Sequence, residues 1–310
     1  KTENGTFTTS STTPATGFVF TYTGTQTFTY SGTNSSSVSY TVNTGSILSM
    51  STSLNLGSTG VESIFTVKNG ARLSMANGRV ITGSAANSRV VFESGSTLYS
   101  GSTGGIGGVG TVGSFQGFAS VNTTPATGRL SLPANVNYIL AGNTTTPFPV
   151  GSGIAFGNPA TVTTSASIVS NMTTPLTVNN AFTVTASVFR LNPGVSTNNL
   201  ILNNAVLTVT GIFDNNGENK VLNGGGTPVI NINGRFITRA TDGFVDAPGA
   251  AIPTITPNLG PISTVEYGRS GAQPVQASPN YANVIISGNN TKTLLGNTED
   301  KKKITISGST

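Results

Sequence analysis

VNTGSILSM at 42–50, VKNGARLSM at 67–75 and FESGSTLYS at 92–100 are three copies of one unit, and their starting positions are evenly spaced. Every copy runs from an apolar residue through a short polar stretch to a glycine (Gly45, Gly70, Gly95). A short strand follows, with leucine at a fixed place (Leu48, Leu73, Leu98). Glycine in the same slot marks a tight turn that is made the same way each time. A second set lies further on. LTVNNA at 176–181 recurs as LILNNA at 200–205, and FTVTA at 182–186 recurs as LTVTG at 207–211, at offsets of 24 and 25. The one-residue slip falls between the two strands, where a turn absorbs it. VIISG at 284–288 returns as ITISG at 304–308, an offset of 20.

Repeats of this length, built from short strands with no helical period between them, predict the coils of a parallel β-helix. The expected fold is therefore all-β: a β-solenoid with coils of about 20–25 residues and Pro/Gly-rich loop excursions. Alternation places Val178, Phe182 and Val184 in the bore. Asn179 and Asn180 stand one coil from Asn203 and Asn204, a spacing that predicts amide ladders. An antiparallel β-sandwich is the alternative, and it requires three copies in strict register to arise by chance.

Composition agrees with many tight turns between strands. Only 8% of the 310 residues are charged, against about 25% in an average domain. Glycine contributes 39 residues and proline 15. The 35% apolar content argues against general disorder and restricts it to the termini. Proline and glycine divide the chain into solenoid coils over 1–100, an irregular Gly/Pro-rich insertion over 101–160, further coils over 161–240, a Pro-rich loop region over 241–279, and a last coil or coils over 280–310 that continue into a longer protein. GIGGVG at 105–110 formally fits a phosphate-binding glycine pattern. No helical segment follows it, so it reads as a flexible loop.

The absent residues exclude much chemistry. With no cysteine there is neither a disulfide framework nor a thiolate metal site. With no histidine, a serine nucleophile lacks its usual base. The net charge of +5 comes from scattered single basic residues, apart from Lys301–Lys303, which does not make a nucleic-acid surface. No apolar run is long enough for a membrane-spanning helix. Glycosidase chemistry would need two carboxylates about 5–10 Å apart. The pairs available are Asp214 with Glu218 in one turn and Asp242 with Asp246 in another, the latter near Arg235 and Arg239. These read as polar turn residues, with Arg239 placed to neutralise Asp242 and Asp246, and the same four are the candidates for a structural calcium ion. No catalytic or cofactor-binding residue is nominated. Thr21, Thr23, Thr25, Thr27 and Thr29 share one face of a strand, opposite Phe20, Tyr22, Phe28 and Tyr30. Such an array can order water and bind ice, but a solvated strand face is the better account, since the alternating run is not repeated on later coils.

The C-terminal stretch carries a resemblance. PNYANVIISGNNTKTLLGN at 279–297, followed by ITISGST, is similar to a recurring unit in large surface proteins of Bacteroidota. Tyr281, Asn283, Val284, Ile286, Ser287, Gly288, Thr291, Lys292, Thr293 and Leu294 match it, whereas Lys301–Lys303 depart from its usual polar turn. The resemblance implies an adhesin-like solenoid at the cell surface or outside the cell, exported by the type IX secretion machinery. Its implied partners are surface glycans or other chains of the same assembly. The expected function is a non-enzymatic structural or adhesive module. A polysaccharide-binding or polysaccharide-cleaving β-helix is the second reading, and ice binding the third.

Overall fold

The computed structural model describes residues 15–21, 23–28, 38–56, 63–83, 88–124, 129–150, 156–185, 187–192, 198–277, 280–296 and 303–307. All the strand pairings are parallel, there is no helix among these residues, and the architecture is a β-solenoid of about ten turns. Among the described residues no helix is long and apolar enough to cross a membrane. The chain forms two compact units, Lys1–Ala160 and Thr161–Thr310.

Three stacks of strands build the first unit. One comprises Ala15–Phe20, Val38–Val42, Ser63–Val67, Ser88–Phe92, Arg129–Ser131 and Ser120–Asn122, in that order across the sheet. The second holds Gly24–Phe28, Ser46–Met50, Arg72–Met75, Thr97–Ser100 and Asn137–Leu140, and the third Leu54–Leu56, Ile81–Gly83 and Phe115–Gln116. The sequence repeat is the strand register itself. Leu48 pairs with Leu73 and Leu73 with Leu98, all fully buried, and Met50 pairs with Met75. Strict alternation sends Ser49 and Ser74 to the other side of the sheet.

The turn glycines stack as well. The Gly45 amide donates to the Gly70 carbonyl (3.2 Å), Gly70 to Gly95 (3.2 Å), and Gly95 to Asn135 (2.8 Å). All three glycines adopt positive φ, between 71° and 82°. Asn135 fills the same slot in the next coil at φ 64°, since asparagine tolerates the left-handed region better than other side chains.

That coil is longer, because Thr97 pairs with Asn137. The extra residues include GIGGVG, which corrects the expectation of a flexible loop there. The Phe115 amide donates to the Ile106 carbonyl (2.9 Å) and Gly108 to Phe115 (2.7 Å). Ile106, Phe115 and Phe118 are all buried. A Cβ on Gly107 would run into the Val112 carbonyl oxygen, so glycine here permits close backbone approach rather than mobility.

In the second unit, one stack comprises Thr161–Thr164, Ala181–Val184, Val206–Val209, Val229–Ile232 and Asn258–Leu259. Another runs through Ile168–Val169, Val188–Arg190, Ile212–Asp214, Arg235–Thr238, Thr264–Tyr267, Asn283–Ser287 and Lys303–Ser307. Leu176–Val178, Leu200–Asn203 and Val221–Gly225 form a third, and Gln273–Gln276 pairs with Lys292–Leu295. The offsets of 24 and 25 read from the sequence appear as Leu176 beside Leu200 and Phe182 beside Leu207. Val284 likewise pairs with Ile304, as the C-terminal repeat requires. Val178, Phe182 and Val184 are fully buried, in keeping with the alternation. Phe189, Phe213 and Phe236 stack through the core with ring centroids 5.8 and 5.1 Å apart.

One amide ladder forms as expected, the Asn203 Nδ2 donating to Asn179 Oδ1 at 3.2 Å. Asn204 instead accepts from the Thr227 amide (3.2 Å). The Pro-rich stretch 241–279, expected as a loop region, contributes Asn258–Leu259, Thr264–Tyr267 and Gln273–Gln276 to the stacks. Pro274 is accommodated because Gln273–Gln276 lies at the edge of its two-stranded sheet, where a missing N–H breaks no ladder on the open side.

Candidate functional site

The residues singled out for chemistry gather along the Ile212–Asp214 and Arg235–Thr238 strands of the second unit and the turns that leave them. Asp214 is completely buried. Its carboxylate accepts from Arg190 Nε one coil earlier (3.0 Å), from Arg239 Nε one coil later (3.0 Å), and from the Asn216 amide in its own turn (2.9 Å). Asn215 closes that turn. Its Nδ2 donates to the carbonyls of Gly217 (3.0 Å) and Asn219 (2.8 Å), while its Oδ1 accepts from the Arg239 amide (2.7 Å).

Glu218 faces elsewhere, to the Thr241 amide (3.1 Å) and the Arg269 guanidinium. Burial pushes its carboxyl pKa up, but the hydrogen bonds from Thr241 and Arg269 outweigh that and hold it below the ordinary glutamate value. Arg235 pairs with Glu266, which also accepts from the Ser287 hydroxyl. Asp242 Oδ2 caps its own loop by accepting from the Gly249 amide (3.0 Å). Asp246 is exposed and sits at φ 62°.

Two sequence expectations change here. Arg239 neutralises Asp214 rather than Asp242 and Asp246, and Arg235 serves Glu266. The pairing rule was legible as coil spacing. Arg190 to Asp214 is an offset of 24 and Asp214 to Arg239 one of 25, and the Lys68–Glu93 pair (2.7 Å) again stands at 25. Residues close in sequence around a turn diverge, whereas residues one coil apart meet. As calcium ligands the four acids also fit poorly. Asp214 and Glu218 are engaged by arginines, and Asp242 by a backbone amide. Among the described residues no three acidic side chains converge.

Asp246 does line a cleft of about 610 Å³, with Asn199, Lys220, Leu222, Pro248 and Pro253. The cleft wall is braced by the Lys220 ammonium, which donates to the Pro248 carbonyl (2.7 Å), and by Asn199 Oδ1, which accepts from the Lys220 amide (2.8 Å). In the first unit, a smaller cleft of about 430 Å³ runs past Ser49, Ser74, Asn77 and Tyr99. The Arg72 guanidinium lies 5.1 Å from the Tyr99 ring centroid and covers that face.

Thr21, Thr23, Thr25 and Thr27 are exposed, while Thr29, Tyr22 and Tyr30 lie outside the described residues. The threonine columns stop after one strand: Thr25 is followed by Ile47, and Thr27 by Ser49. The residues behind the surface-protein resemblance mostly have structural roles. Tyr281 is buried with its hydroxyl 2.6 Å from that of Tyr267, and Asn283 Nδ2 donates to the Ser263 carbonyl (3.0 Å). The Lys292 ammonium ties down the Arg269 and Gly271 carbonyls (2.8 and 3.1 Å). No known protein family, curated protein or solved structure matches the chain.

Proposed function

We propose that the chain is a non-enzymatic structural or adhesive β-solenoid module of a secreted or cell-surface protein. The supporting observation is the disposition of its acids. Asp214, Glu218 and Glu266 each lock a coil to one further along the chain through arginine. These three acids serve inter-coil cohesion, and a buried carboxylate held between guanidiniums lacks the freedom of a general acid. Short turns with few long loops suit a spacer or a display surface. The terminal resemblance supports export by the type IX route and a place at the surface of a Bacteroidota cell.

Polysaccharide binding is a second reading, favoured by the cleft beside Asp246. It offers amide, ammonium and carboxylate groups beside an apolar wall of Leu222, Pro248 and Pro253. A glycan array read alongside a reducing-sugar release assay separates the two. Binding without release, lost in Asp246→Ala, moves the reading to glycan recognition. Release of reducing ends from any polysaccharide overturns the non-enzymatic reading.

A further inference from the structure

We propose that the outward face of the stack from Thr161–Thr164 to Asn258–Leu259 is an ice-binding surface. Such a surface goes beyond an adhesive module and rests on a threonine array that the strand register assembles. The register sets Thr163, Thr183, Thr208, Asn231 and Asn258 in one column. Thr163, Thr183, Thr208 and Asn231 alternate with buried partners, and Asn258 Nδ2 donates to Asn231 Oδ1 at 3.0 Å. The ladder continues one residue beyond each strand, through the amides of Thr185, Thr210, Asn233 and Gly260 to the preceding coil. A second column, Ser165, Thr185, Thr210 and Asn233, therefore runs beside the first, and all four residues are exposed. The repeating element is Thr-Val-Thr, at 183–185 and 208–210.

Strands in a parallel sheet lie about 4.8 Å apart, and alternate residues on one strand about 6.6 Å apart. Two such columns form a rectangular mesh whose two spacings are close to those of water oxygens on the prism face of ice. The mesh is also rigid. Threonine is restricted at χ1 by its branched Cβ. Thr185 Oγ1 donates to the Thr164 carbonyl (3.0 Å), and Thr210 Oγ1 reaches the Val184 and Thr185 carbonyls (3.1 and 3.2 Å). Held in this way, the side chains lose little entropy when water orders over them.

The face is uncharged across all five coils, whereas the stack of Val188–Arg190 to Thr264–Tyr267 carries Arg190, Asp214, Arg235 and Glu266. An ion would impose its own hydration shell on the mesh. Among the described residues of these strands no aromatic ring stands on the outward side, which removes the platform a sugar ring would stack on.

The test is ice-crystal morphology and recrystallisation inhibition with the whole chain at micromolar concentration. Faceted crystals are expected from the native chain. Thr183→Tyr and Thr208→Tyr each raise a ring above the mesh and should abolish faceting, with the thermal unfolding midpoint held to show that the fold survives. Thr25→Tyr, on the threonine strand of the first unit, should facet as the native chain does. Rounded crystals from the folded native chain overturn the proposal, as does faceting that survives Thr208→Tyr. Retention on insoluble chitin or cellulose that Thr208→Tyr removes, without faceting, assigns the face to a polysaccharide and equally overturns it.

Discussion

At the scale of single residues, the turn positions and the inter-coil ion pairs bear most on stability. Gly70 sits at φ +71°, and a Cβ there would lie 3.2 Å from the Thr44 methyl group. Gly70→Ala is therefore expected to cost about 1–2 kcal/mol through left-handed strain alone. Asn135→Gly, in the equivalent slot, should be close to neutral. Urea unfolding of the two variants checks both, and an unchanged midpoint for Gly70→Ala would contradict the turn assignment. Asp214→Ala leaves Arg190 and Arg239 without their shared partner. Breaking a buried pair costs about 3–5 kcal/mol, but both arginines are more than a third exposed and can rehydrate, so about 2–3 kcal/mol is the expected loss. Glu93→Gln removes an exposed pair with Lys68 and should change stability by about 0.5 kcal/mol. Equal effects from the two substitutions would show that burial does not distinguish the pairs.

At the scale of strands and coils, stability comes from stacking like on like. Leu73 lies between Leu48 and Leu98 with no exposure, so Leu73→Ala should cost about 2–5 kcal/mol. Leu295, on a strand with one neighbour, is 51% exposed, and Leu295→Ala should stay within about 0.5 kcal/mol. Thermal melts of the pair test whether coils are held by neighbours on both sides. The register of these coils was legible because Gly45, Gly70 and Gly95, with Leu48, Leu73 and Leu98, repeat at a fixed interval. Two parts were not. The run 105–110 looks like a loop in composition, yet its glycines let backbone pack on backbone, which no side-chain pattern records. The threonine columns of the second unit were only partly visible, as the match of 182–186 with 207–211, and their extension to Thr163 was hidden because the coils differ in length. The coil from Thr163 to Thr183 is shorter than the one from Thr183 to Thr208, so no single period aligns them. The acidic residues depart from their sequence reading for a related reason: Asp242 and Asp246 are neighbours of Arg239 in sequence, but Asp214 is its neighbour one coil away.

At the scale of the whole molecule, titration at either extreme of pH reports on packing spread over both units. On the acid side the contribution is modest. Burial raises the Glu93 carboxyl pKa, but the Lys68 ammonium and the Asn69 amide outweigh it, and the pKa lies below the ordinary value as it does for Glu218. A depressed carboxylate pKa adds stability above the unfolded-state value and loses it as pH falls through the folded one, so gradual weakening below about pH 4 is expected. On the alkaline side the effect is larger, because among the described residues four tyrosines, Tyr40, Tyr138, Tyr267 and Tyr281, are buried in the core. Burial raises the pKa of Tyr138 in the first unit and of Tyr267 and Tyr281 in the second. Tyr267 is raised further by its contact with Tyr281, whereas in Tyr281 the hydrogen bond with Tyr267 works against the rise and the charge of Asp246 adds to it. A raised tyrosine pKa leaves stability intact below the unfolded value of about 10 and removes it as pH climbs toward the folded value, since the unfolded chain loses the proton first. Tyrosinate absorbance should accordingly rise in two stages. Tyr138, Tyr267 and Tyr281 stay silent until the coils open and belong to the second stage, appearing in one step with the loss of β-sheet circular dichroism. Tyr281→Phe removes one of these protons along with the 2.6 Å hydroxyl contact to Tyr267, so it should shrink the second stage while lowering stability at neutral pH. Smooth titration of all seven rings with the β signal intact would mean that Tyr138, Tyr267 and Tyr281 are reached by solvent in the folded protein, and that the core is not closed at those coils.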